Sequence, residues 1–298
     1  MTTFSVSDIP SQAGRTIVVT GANSGIGRAA ARALAAKDAR VVLAVRDPDK
    51  GRAAAAEMGG RTEVRRLDLA DLDSVRAFAA EFTEPVDVLI NNAGVMFPPL
   101  TRTRDGFELQ FGTNHLGHFA LTNLLLPRIR GRVVTVSSNG HRAGSIDFDD
   151  LNWERRTYRS MGAYAQSKLA NLLFTAELQR RLEEAGSPVI ATAAHPGVAA
   201  TNLVRFDGRR VRYLVGKAIA GLLAQSDADG ALPTLFAAVA EVPGNSYAGP
   251  SGFLEGRGAP KLVGRSDRAR DAETARRLWE VSAELTGVGF PRLAPQGV

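Results

Sequence analysis

The stretch "RTIVVTGANSGIG", residues 15–27, decides the fold of this chain. Its apolar, β-branched start at 15–20 predicts a buried strand, and the glycine-rich turn "TGANSGIG" at 20–27 leads directly into an alanine-rich helical pattern. Glycines permit a tight turn and a close approach of the backbone to a pyrophosphate, and the free N–H groups that begin a helix attract an anion. The stretch therefore predicts a phosphate-binding strand–turn–helix unit, with the glycine spacing G-x3-G-x-G in place of the commoner G-x-G-x-x-G.

The same alternation of strands and helices continues along the chain. Further β-branched runs predict strands at 39–45, 62–69, 86–92, 131–138 and 187–197, with a last short strand at 251–255. Helical patterns lie at 25–37, 49–58, 71–83, 104–128, 161–185 and 267–285. Such alternation indicates right-handed βαβ crossovers. We therefore expect a Rossmann-type, doubly wound parallel sheet of about seven strands with helices on both faces, a three-layer αβα sandwich, and chemistry at the carboxyl ends of its strands.

The domain organisation follows from length and composition. The chain has 298 residues, of which 44% are hydrophobic, and this is ample for one large core. Because no linker-like stretch or internal repeat divides it, we expect a single domain over 1–298. Its expected parts are a lead-in, a cofactor-binding and catalytic core, a substrate lid region and a C-terminal strand with helices, at 1–15, 16–197, 198–231 and 232–298.

Composition also excludes several classes of protein. Without cysteine, the chain has no disulfide scaffold, thiolate metal site or cysteine nucleophile. The net charge of +6 is spread over short, scattered basic pairs, so we expect no nucleic-acid partner. No secretory signal and no apolar stretch of about 20 residues is evident, so we expect no integral membrane segment and a cytoplasmic location.

Two opposing signals follow the second predicted strand. Asp47 lies 20 residues beyond Gly27, near the distance at which an acid binds the ribose 2′-hydroxyl of NAD. Arg46 precedes it, and a basic group there accommodates the 2′-phosphate of NADP. Asp47 also precedes a proline and could cap the next helix. We favour NADP(H) as the cofactor, with Arg46 binding its 2′-phosphate, assisted by Lys50 or Arg28, and keep NAD(H) as the alternative.

Two further turns complete the predicted cofactor edge. Asp68 in "LDL" at 67–69 could accept a hydrogen bond from an adenine amino group, or it could be an ordinary polar strand end. "NNAG" at 91–94 is a compact turn that can line a cofactor with backbone groups and side-chain amides.

Seven motifs in order resemble the short-chain dehydrogenase/reductase family over nearly the whole chain. They are "TGANSGIG", "LDL", "NNAG", "TNHLG", "VSS", "YAQSK" and "HPG" with a following threonine. The segments around 39–51, 110–127 and 164–182 resemble the branch of that family that contains the retinol dehydrogenases and related bacterial reductases.

The resemblance implies four catalytic residues. Tyr164 would exchange a proton with the substrate oxygen, and Lys168, one helical turn away, would lower the pKa of its phenol and bind the nicotinamide ribose. Ser138 would bind the substrate oxygen, with Ser137 as the weaker candidate, and Asn114 would anchor a water that links Lys168 to solvent.

The resemblance also implies the cofactor contacts, and it assigns no metal. In addition to Tyr164 and Lys168, the expected cofactor-binding residues are Gly21, Asn23, Ser24, Gly25, Ile26, Gly27, Arg46, Asp68, Leu69, Asn92, Ala93, Gly94, Pro196, Gly197 and Thr201. His195 is interpreted as structural because Tyr164 already fills the proton-transfer role. His115 and His118 have a spacing that can bind metal, but packing around Asn114 explains them.

Two segments depart from a compact family member. Ser138 and Tyr164 are 26 residues apart, and the added stretch 145–160 resembles the insertion of the retinol dehydrogenase-like branch, a surface excursion near the substrate mouth that includes Tyr158. The apolar stretch 213–223 either packs on the body as a helix or belongs to a mobile lid, over 205–223, for lipophilic substrates.

The expected function is an NADP(H)-dependent oxidoreductase that transfers hydride between nicotinamide and a carbonyl or alcohol, with a lipophilic small molecule as substrate. The alternatives are a non-catalytic NAD(P)-binding sensor with the same fold and an NAD-preferring alcohol dehydrogenase. The resemblance also leaves a homodimer as an option, through the helices that carry Asn114 and Tyr164.

Overall fold

The structure, a computed structural model, describes residues 4–197 and 225–293. Its strands are β1 (Thr16–Thr20), β2 (Arg40–Val45), β3 (Arg61–Arg66), β4 (Val86–Asn91), β5 (Ile129–Val136), β6 (Ile190–Ala194), β7 (Tyr247–Pro250) and β8 (Pro260–Leu262). Its α-helices are α1 (Gly25–Ala35), α2 (Pro48–Met58), α3 (Leu72–Glu81), α4 (Leu109–Phe111), α5 (Gly117–Leu125), α6 (Ser160–Glu184), α7 (Asp227–Val239) and α8 (Ala272–Thr286). A π-helical segment, Gly112–Leu116, joins α4 to α5.

All eight of these strands form one sheet in the order β3-β2-β1-β4-β5-β6-β7-β8. Strands β1 to β7 pair in parallel, and only β8 pairs antiparallel, with β7. The predicted doubly wound parallel sheet is confirmed, with one strand more than the expected seven. The strand order reverses between β1 and β4, and such a reversal opens a ligand crevice at the carboxyl ends of those two strands.

Hydrophobic residues cover both faces of the sheet. On one face, Phe78, Phe119 and Trp279 belong to a buried cluster that joins α3, α5, α6 and α8 to the sheet. On the other face, Leu34 and Leu235 belong to a second cluster that joins α1, α2 and α7. This is the three-layer sandwich that strand–helix alternation predicts.

Two predicted elements are wrong or misplaced. The segment 251–255 is not a strand: Phe253–Glu255 form a short 3-10 turn in which Leu254 and Glu255 have left-handed φ values of 49° and 55°, which an extended strand cannot contain. The helix expected at 104–128 begins only at Leu109, because residues 103–106 form a turn and the buried carboxylate of Glu108 accepts the backbone N–H of Phe111.

Among the described residues, no helix has the length and apolar character needed to cross a bilayer. The domain boundary at 197–198 and the substrate region 198–231 stay predictions, since 198–224 lie outside the described residues.

Candidate active site

The glycine turn after β1 forms a close-packed cradle. Gly21 and Gly25 have left-handed φ values of 67° and 54°, which glycine adopts without strain. A Cβ added to Gly27 would lie 2.3 Å from Asn92 Nδ2 and 2.6 Å from the carbonyl oxygen of Gly21, so this position has no room for a side chain. The side chain of Ser24 precedes α1 without capping it, which leaves the first N–H groups of the helix available to an anion.

Thr20, which sequence reasoning missed, fixes the NNAG turn on this cradle. Its buried hydroxyl oxygen accepts the backbone N–H groups of Asn92 and Ala93, both at 2.9 Å. The side-chain amide of Asn92 donates to the carbonyl of Thr20 at 2.8 Å. The ends of β1 and β4 are therefore hydrogen-bonded together at the crevice.

At the end of β2, the acidic residue Asp47 and the basic residue Arg46 have different surroundings. The carboxylate of Asp47 caps α2, accepting the backbone N–H groups of Asp49 and Lys50 at 3.1 and 3.2 Å, and it pairs with the Lys50 ammonium at 3.1 Å. These hydrogen bonds, chiefly from Lys50, lower the pKa of Asp47. Arg28 pairs with Glu57 at 3.1 Å.

Arg46 stands apart from these pairs. Its side chain is exposed, and it makes no hydrogen bond or ion pair with any other residue in the described ranges 4–197 and 225–293. Among Arg28, Arg46 and Lys50, Arg46 is therefore the one that forms no ion pair with a carboxylate in the described part of the chain.

The end of β3 brings Asp68 and Leu69 to the same edge. Asp68 is half-buried, and its carboxylate accepts the N–H of Ala70 at 3.0 Å, as at an ordinary turn. Leu69 is buried under α5, where a Cβ on Gly117 would lie 2.4 Å from its carbonyl oxygen.

Asn114 lies in the π-helical segment with its side chain fully buried. Its amide forms a two-point contact with the backbone of Val95, at 2.8 and 3.0 Å, and it also donates to Ser167 Oγ at 3.0 Å. A Cβ on Gly94 would lie 3.2 Å from Asn114 Oδ1 and 3.6 Å from Lys168 Nζ. The amide of Asn114 is thus close to both the NNAG turn and the buried ammonium.

Ser138 and Tyr164 meet across Gly140. A Cβ on Gly140 would lie 3.3 Å from the Tyr164 ring and 3.4 Å from Ser138 Oγ, which accepts the N–H of Gly140 at 3.1 Å. Ser137 faces away and is engaged elsewhere, since its hydroxyl donates to the carbonyl of Lys168 at 2.8 Å. Ser138 is therefore the serine that lies beside the phenol.

The expected effect of Lys168 on the phenol is wrong for this structure. Burial raises the pKa of Tyr164 more than the hydroxyl of Ser138 lowers it. The ammonium of Lys168 donates to the carbonyl of Val136 at 3.1 Å and lies 5.7 Å from the centre of the Tyr164 ring. Burial lowers the pKa of Lys168 itself to about 8. Helical spacing places the two groups on one face, but desolvation dominates both of their pKa values.

Hydrogen bonds from buried side chains fix the segment that follows β6. His195 is buried; its Nδ1 accepts the N–H of Gly197 at 3.2 Å, and its Nε2 donates to Glu255 at 3.0 Å. The carbonyl of Pro196 accepts from Gln225 at 2.9 Å. Burial lowers the pKa of His195 to about 4, so it is a neutral structural group here. Thr201 and the predicted lid 205–223 lie outside the described residues.

The two histidines around Asn114 are buried in different environments. His118 Nδ1 donates to the carbonyl of Asn114 at 3.0 Å, and its Nε2 accepts from the hydroxyl of Thr20 at 2.9 Å. His115 contacts Ser282 at 2.8 Å. Burial lowers the pKa values of His118 and His115 to about 4 and about 3. Within 4–197 and 225–293, no group of three or more histidine, cysteine, aspartate or glutamate side chains could hold a metal ion.

Apart from Thr201, the predicted residues therefore lie along one edge of the sheet, at the carboxyl ends of β1 to β6 and on the helical segments beside them. Asn23 and Ile26 belong to the glycine turn and the start of α1, beside the other residues of the cradle. Sequence reasoning missed Phe97, whose ring packs edge to face on Tyr164 with 5.3 Å between ring centres. No local pattern marks this contact, because the two residues belong to different elements and are far apart in the chain.

Comparisons with known proteins agree with this geometry. A family model described as short chain dehydrogenase matches residues 15–210. Retinol dehydrogenase 13 of Homo sapiens is 46% identical over 299 residues, which cover 95% of this chain and 88% of that protein.

Solved structures share the fold. The crystal structure of an uncharacterized protein from Mycobacterium paratuberculosis is 52% identical, with a TM-score of 0.85 over 97% of this chain and 100% of that chain. A structure assigned to an NAD(P)-dependent gluconate 5-dehydrogenase from Beutenbergia cavernae, with NADP bound at low occupancy, is 30% identical, with a TM-score of 0.57 over 77% of this chain and 91% of that chain.

Proposed function

Because this chain belongs to the short-chain dehydrogenase/reductase family, in its retinol dehydrogenase-like branch, and is an NAD(P)-dependent oxidoreductase, we propose that it uses NADP(H) to interconvert a lipophilic carbonyl compound and its alcohol. One observation carries this proposal: Ser138 and Tyr164 meet at the crevice where the glycine cradle, Asn114 and Lys168 also converge. A protein that only binds a nucleotide has no need of this proton-transfer group.

The cradle fits a dinucleotide. The pyrophosphate would lie against Gly21, Ser24 and Gly27, where the backbone is bare and the N–H groups that begin α1 are available. The NNAG turn and the carboxylate of Asp68 would border the same nucleotide farther along the edge. Bound there, the cofactor supplies or accepts the hydride.

The preference for NADP(H) over NAD(H) rests on the end of β2. Asp47 already caps α2 and pairs with Lys50, so its carboxylate is occupied where an NAD-binding acid would contact ribose. The exposed guanidinium of Arg46 can accept a 2′-phosphate in a bidentate manner. The NADP in the Beutenbergia cavernae structure agrees with this assignment.

The remaining roles follow from the chemistry of the groups. Ser138 would donate to the substrate oxygen and hold it beside the phenol of Tyr164, which would donate its proton during reduction and remove one during oxidation. The raised pKa of Tyr164 keeps the phenol protonated at neutral pH, which suits carbonyl reduction. Lys168, held by the carbonyl of Val136, would bind ribose hydroxyls and relay protons with Asn114.

The substrate class comes from the relatives. The name retinol dehydrogenase belongs to a protein that aligns over 95% of this chain, and we therefore propose a lipophilic aldehyde, ketone or alcohol as substrate. A cytoplasmic location and a homodimer stay predictions from the sequence.

A fluorescence titration with NADPH and NADH tests the cofactor assignment. We expect tight NADPH binding that weakens at least about tenfold in Arg46→Ala, the loss of one charge-assisted contact, while Lys50→Ala, in the neighbouring pair, stays near wild type. Equal affinity for NADH and NADPH in the wild type would contradict the preference.

A turnover assay tests the reaction itself. Tyr164→Phe should keep NADPH affinity and lose carbonyl reduction with a panel of apolar aldehydes and ketones. If the wild-type protein binds NADPH but neither reduces these compounds nor oxidises the matching alcohols, the proposed reaction is wrong and a nucleotide-binding sensor is favoured.

A further inference from the structure

Phe97 holds an unusual backbone conformation beside the candidate proton donor. It lies three residues beyond Gly94 with a left-handed φ of 59°, which bulky side chains rarely adopt unless their surroundings impose it. Its ring meets the Tyr164 ring edge to face, with 5.3 Å between centres and 71° between planes. Its backbone N–H donates to Gln110 Oε1 at 3.0 Å.

Gln110 is fully buried, and its amide is completely used. Its oxygen accepts from Phe97, and its nitrogen donates to the hydroxyl of Tyr158 at 3.0 Å and to the carbonyl of Ser160 at 2.8 Å. A flipped amide would place donors against the N–H of Phe97 and an acceptor against the Ser160 carbonyl. The network therefore permits one orientation of this amide, and that orientation holds Phe97.

Tyr158 connects this amide to a buried carboxylate. Its hydroxyl donates to Glu108 Oε1 at 3.0 Å, and Glu108 Oε2 accepts the N–H of Phe111 at 2.7 Å. Burial and the neighbouring Glu108 raise the pKa of Tyr158 to about 12, so its hydroxyl stays protonated and keeps donating across the working range of an enzyme. Tyr158 thus acts as a fixed hydrogen-bond link between Glu108 and Gln110.

The insertion that carries Tyr158 is also attached to the helix that carries Tyr164. Gln166, two residues beyond Tyr164, donates to the carbonyl of Leu151 at 2.9 Å and accepts from Arg156 at 2.8 Å. The insertion 145–160 is therefore hydrogen-bonded to α6 through Gln166 and to Gln110 through Tyr158 and Ser160.

We propose that Phe97 is a positioning residue for Tyr164, and that Tyr158 and Gln110 hold Phe97 in the left-handed conformation that places its ring against the phenol ring. This inference rests on the proposed function, in which Tyr164 transfers the proton. It gives the insertion a part in the reaction, because the segment orders the proton donor through Gln110 and Phe97.

Steady-state kinetics with NADPH and an apolar aldehyde test the proposal. Phe97→Leu should lower kcat about threefold to tenfold, the worth of one aromatic pair, with little change in NADPH affinity. Phe97→Tyr, which keeps the ring, should retain kcat, and Tyr158→Phe should lower it in the same direction as Phe97→Leu but by less. The matched control is Phe148→Leu, a change in the same insertion at a ring that lies under Arg277, which should leave kcat within about twofold of wild type.

A second measurement does not depend on turnover. Titration of cofactor-free protein labelled with 13C-tyrosine, with the resonance assigned through Tyr164→Phe, reports the pKa of that phenol. Because burial raises this pKa, removing the Phe97 ring should admit water and move it toward its ordinary value, whereas Phe148→Leu should not.

The outcomes separate the two proposals. Unchanged kcat and unchanged Tyr164 titration in both Phe97→Leu and Tyr158→Phe would overturn the positioning role. A wild-type protein that neither reduces these carbonyl compounds nor oxidises the matching alcohols would overturn the proposed function, while the titration would still decide whether Phe97 orders the phenol. If Phe97→Leu fails to fold, Tyr158→Phe carries the same test.

Discussion

Gly27→Ala should weaken cofactor binding and lower the stability of the fold, because the added methyl group would overlap neighbouring atoms. Its Cβ would lie 2.3 Å from Asn92 Nδ2 and 2.6 Å from the Gly21 carbonyl oxygen. The Asn92 amide cannot simply rotate away, since it donates to the carbonyl of Thr20 at 2.8 Å. The glycine turn or the NNAG turn must therefore shift.

The size of the effect follows from two opposing terms. Overpacking costs about 1–3 kcal/mol of stability. The higher helix propensity of alanine offsets at most about 1 kcal/mol of this cost in the first turn of α1. A net loss of about 1–2 kcal/mol lowers Tm by roughly 1.5–3 °C in a chain of this size. Loss of one charged hydrogen bond to the pyrophosphate, about 1.5–3 kcal/mol, weakens NADPH binding roughly 10- to 100-fold.

Thermal denaturation and NADPH fluorescence titration measure both effects. The matched control is Gly289→Ala, whose added Cβ would meet no heavy atom within 4 Å, and it should change neither Tm nor affinity. Wild-type NADPH affinity in Gly27→Ala would refute the close-packed cradle. Equal losses in both variants would show that the effect comes from glycine replacement in general.

Three further perturbations test other parts of the site. Thr20→Val leaves two backbone N–H groups without their acceptor and should lower the free energy of unfolding by about 2–4 kcal/mol, as measured by urea denaturation. The control Thr175→Val removes a hydroxyl that is bonded only within its own helix, and it should lower the free energy of unfolding much less. The buried Lys168 has its pKa lowered to about 8, so the unfolded chain binds more protons between about pH 8 and pH 10 and stability should rise with pH across that window, by at most about 3 kcal/mol. That slope should be absent in Lys168→Met, and its persistence would assign it to another group. Asp47→Ala should cost about 1 kcal/mol through loss of the α2 cap and leave NADPH affinity unchanged; a gain of NADPH over NADH selectivity would mean instead that the carboxylate opposes the phosphate.

Local patterns predicted the cradle because all of its determinants lie close together in the chain. An apolar run, three glycines and an alanine-rich helical pattern follow each other within 15–37, and each of these patterns predicts a single kind of local structure. The doubly wound parallel sheet followed in the same way, since helices between successive strands indicate right-handed crossovers.

The missed features depend on contacts between distant residues. "SGFLE" at 251–255 has the composition of an edge strand, but its backbone closes on itself as a turn, and Asn139 donates to the carbonyl of Leu254 while His195 bonds to the carboxylate of Glu255. Phe97 gives no local sign of its left-handed conformation, because Gln110 and Tyr158 impose it. The protonation of Tyr164 depends on burial, which no spacing of residues reports.

The π-helical segment Gly112–Leu116 has a consequence for the phase of the helix around it. The N–H of Gly117 donates to the carbonyl of Gly112, five residues back, so the segment contains one residue more than a regular α-helical turn would. Each residue advances a helix by about 100°, and α5 is therefore rotated by that angle relative to an uninterrupted continuation of α4. The rotation lets the helix bury Phe119 against the core while Asn114 faces Lys168. Loss of a single residue here would bring one of these two side chains onto the wrong side, so the length of this segment is as constrained as its composition.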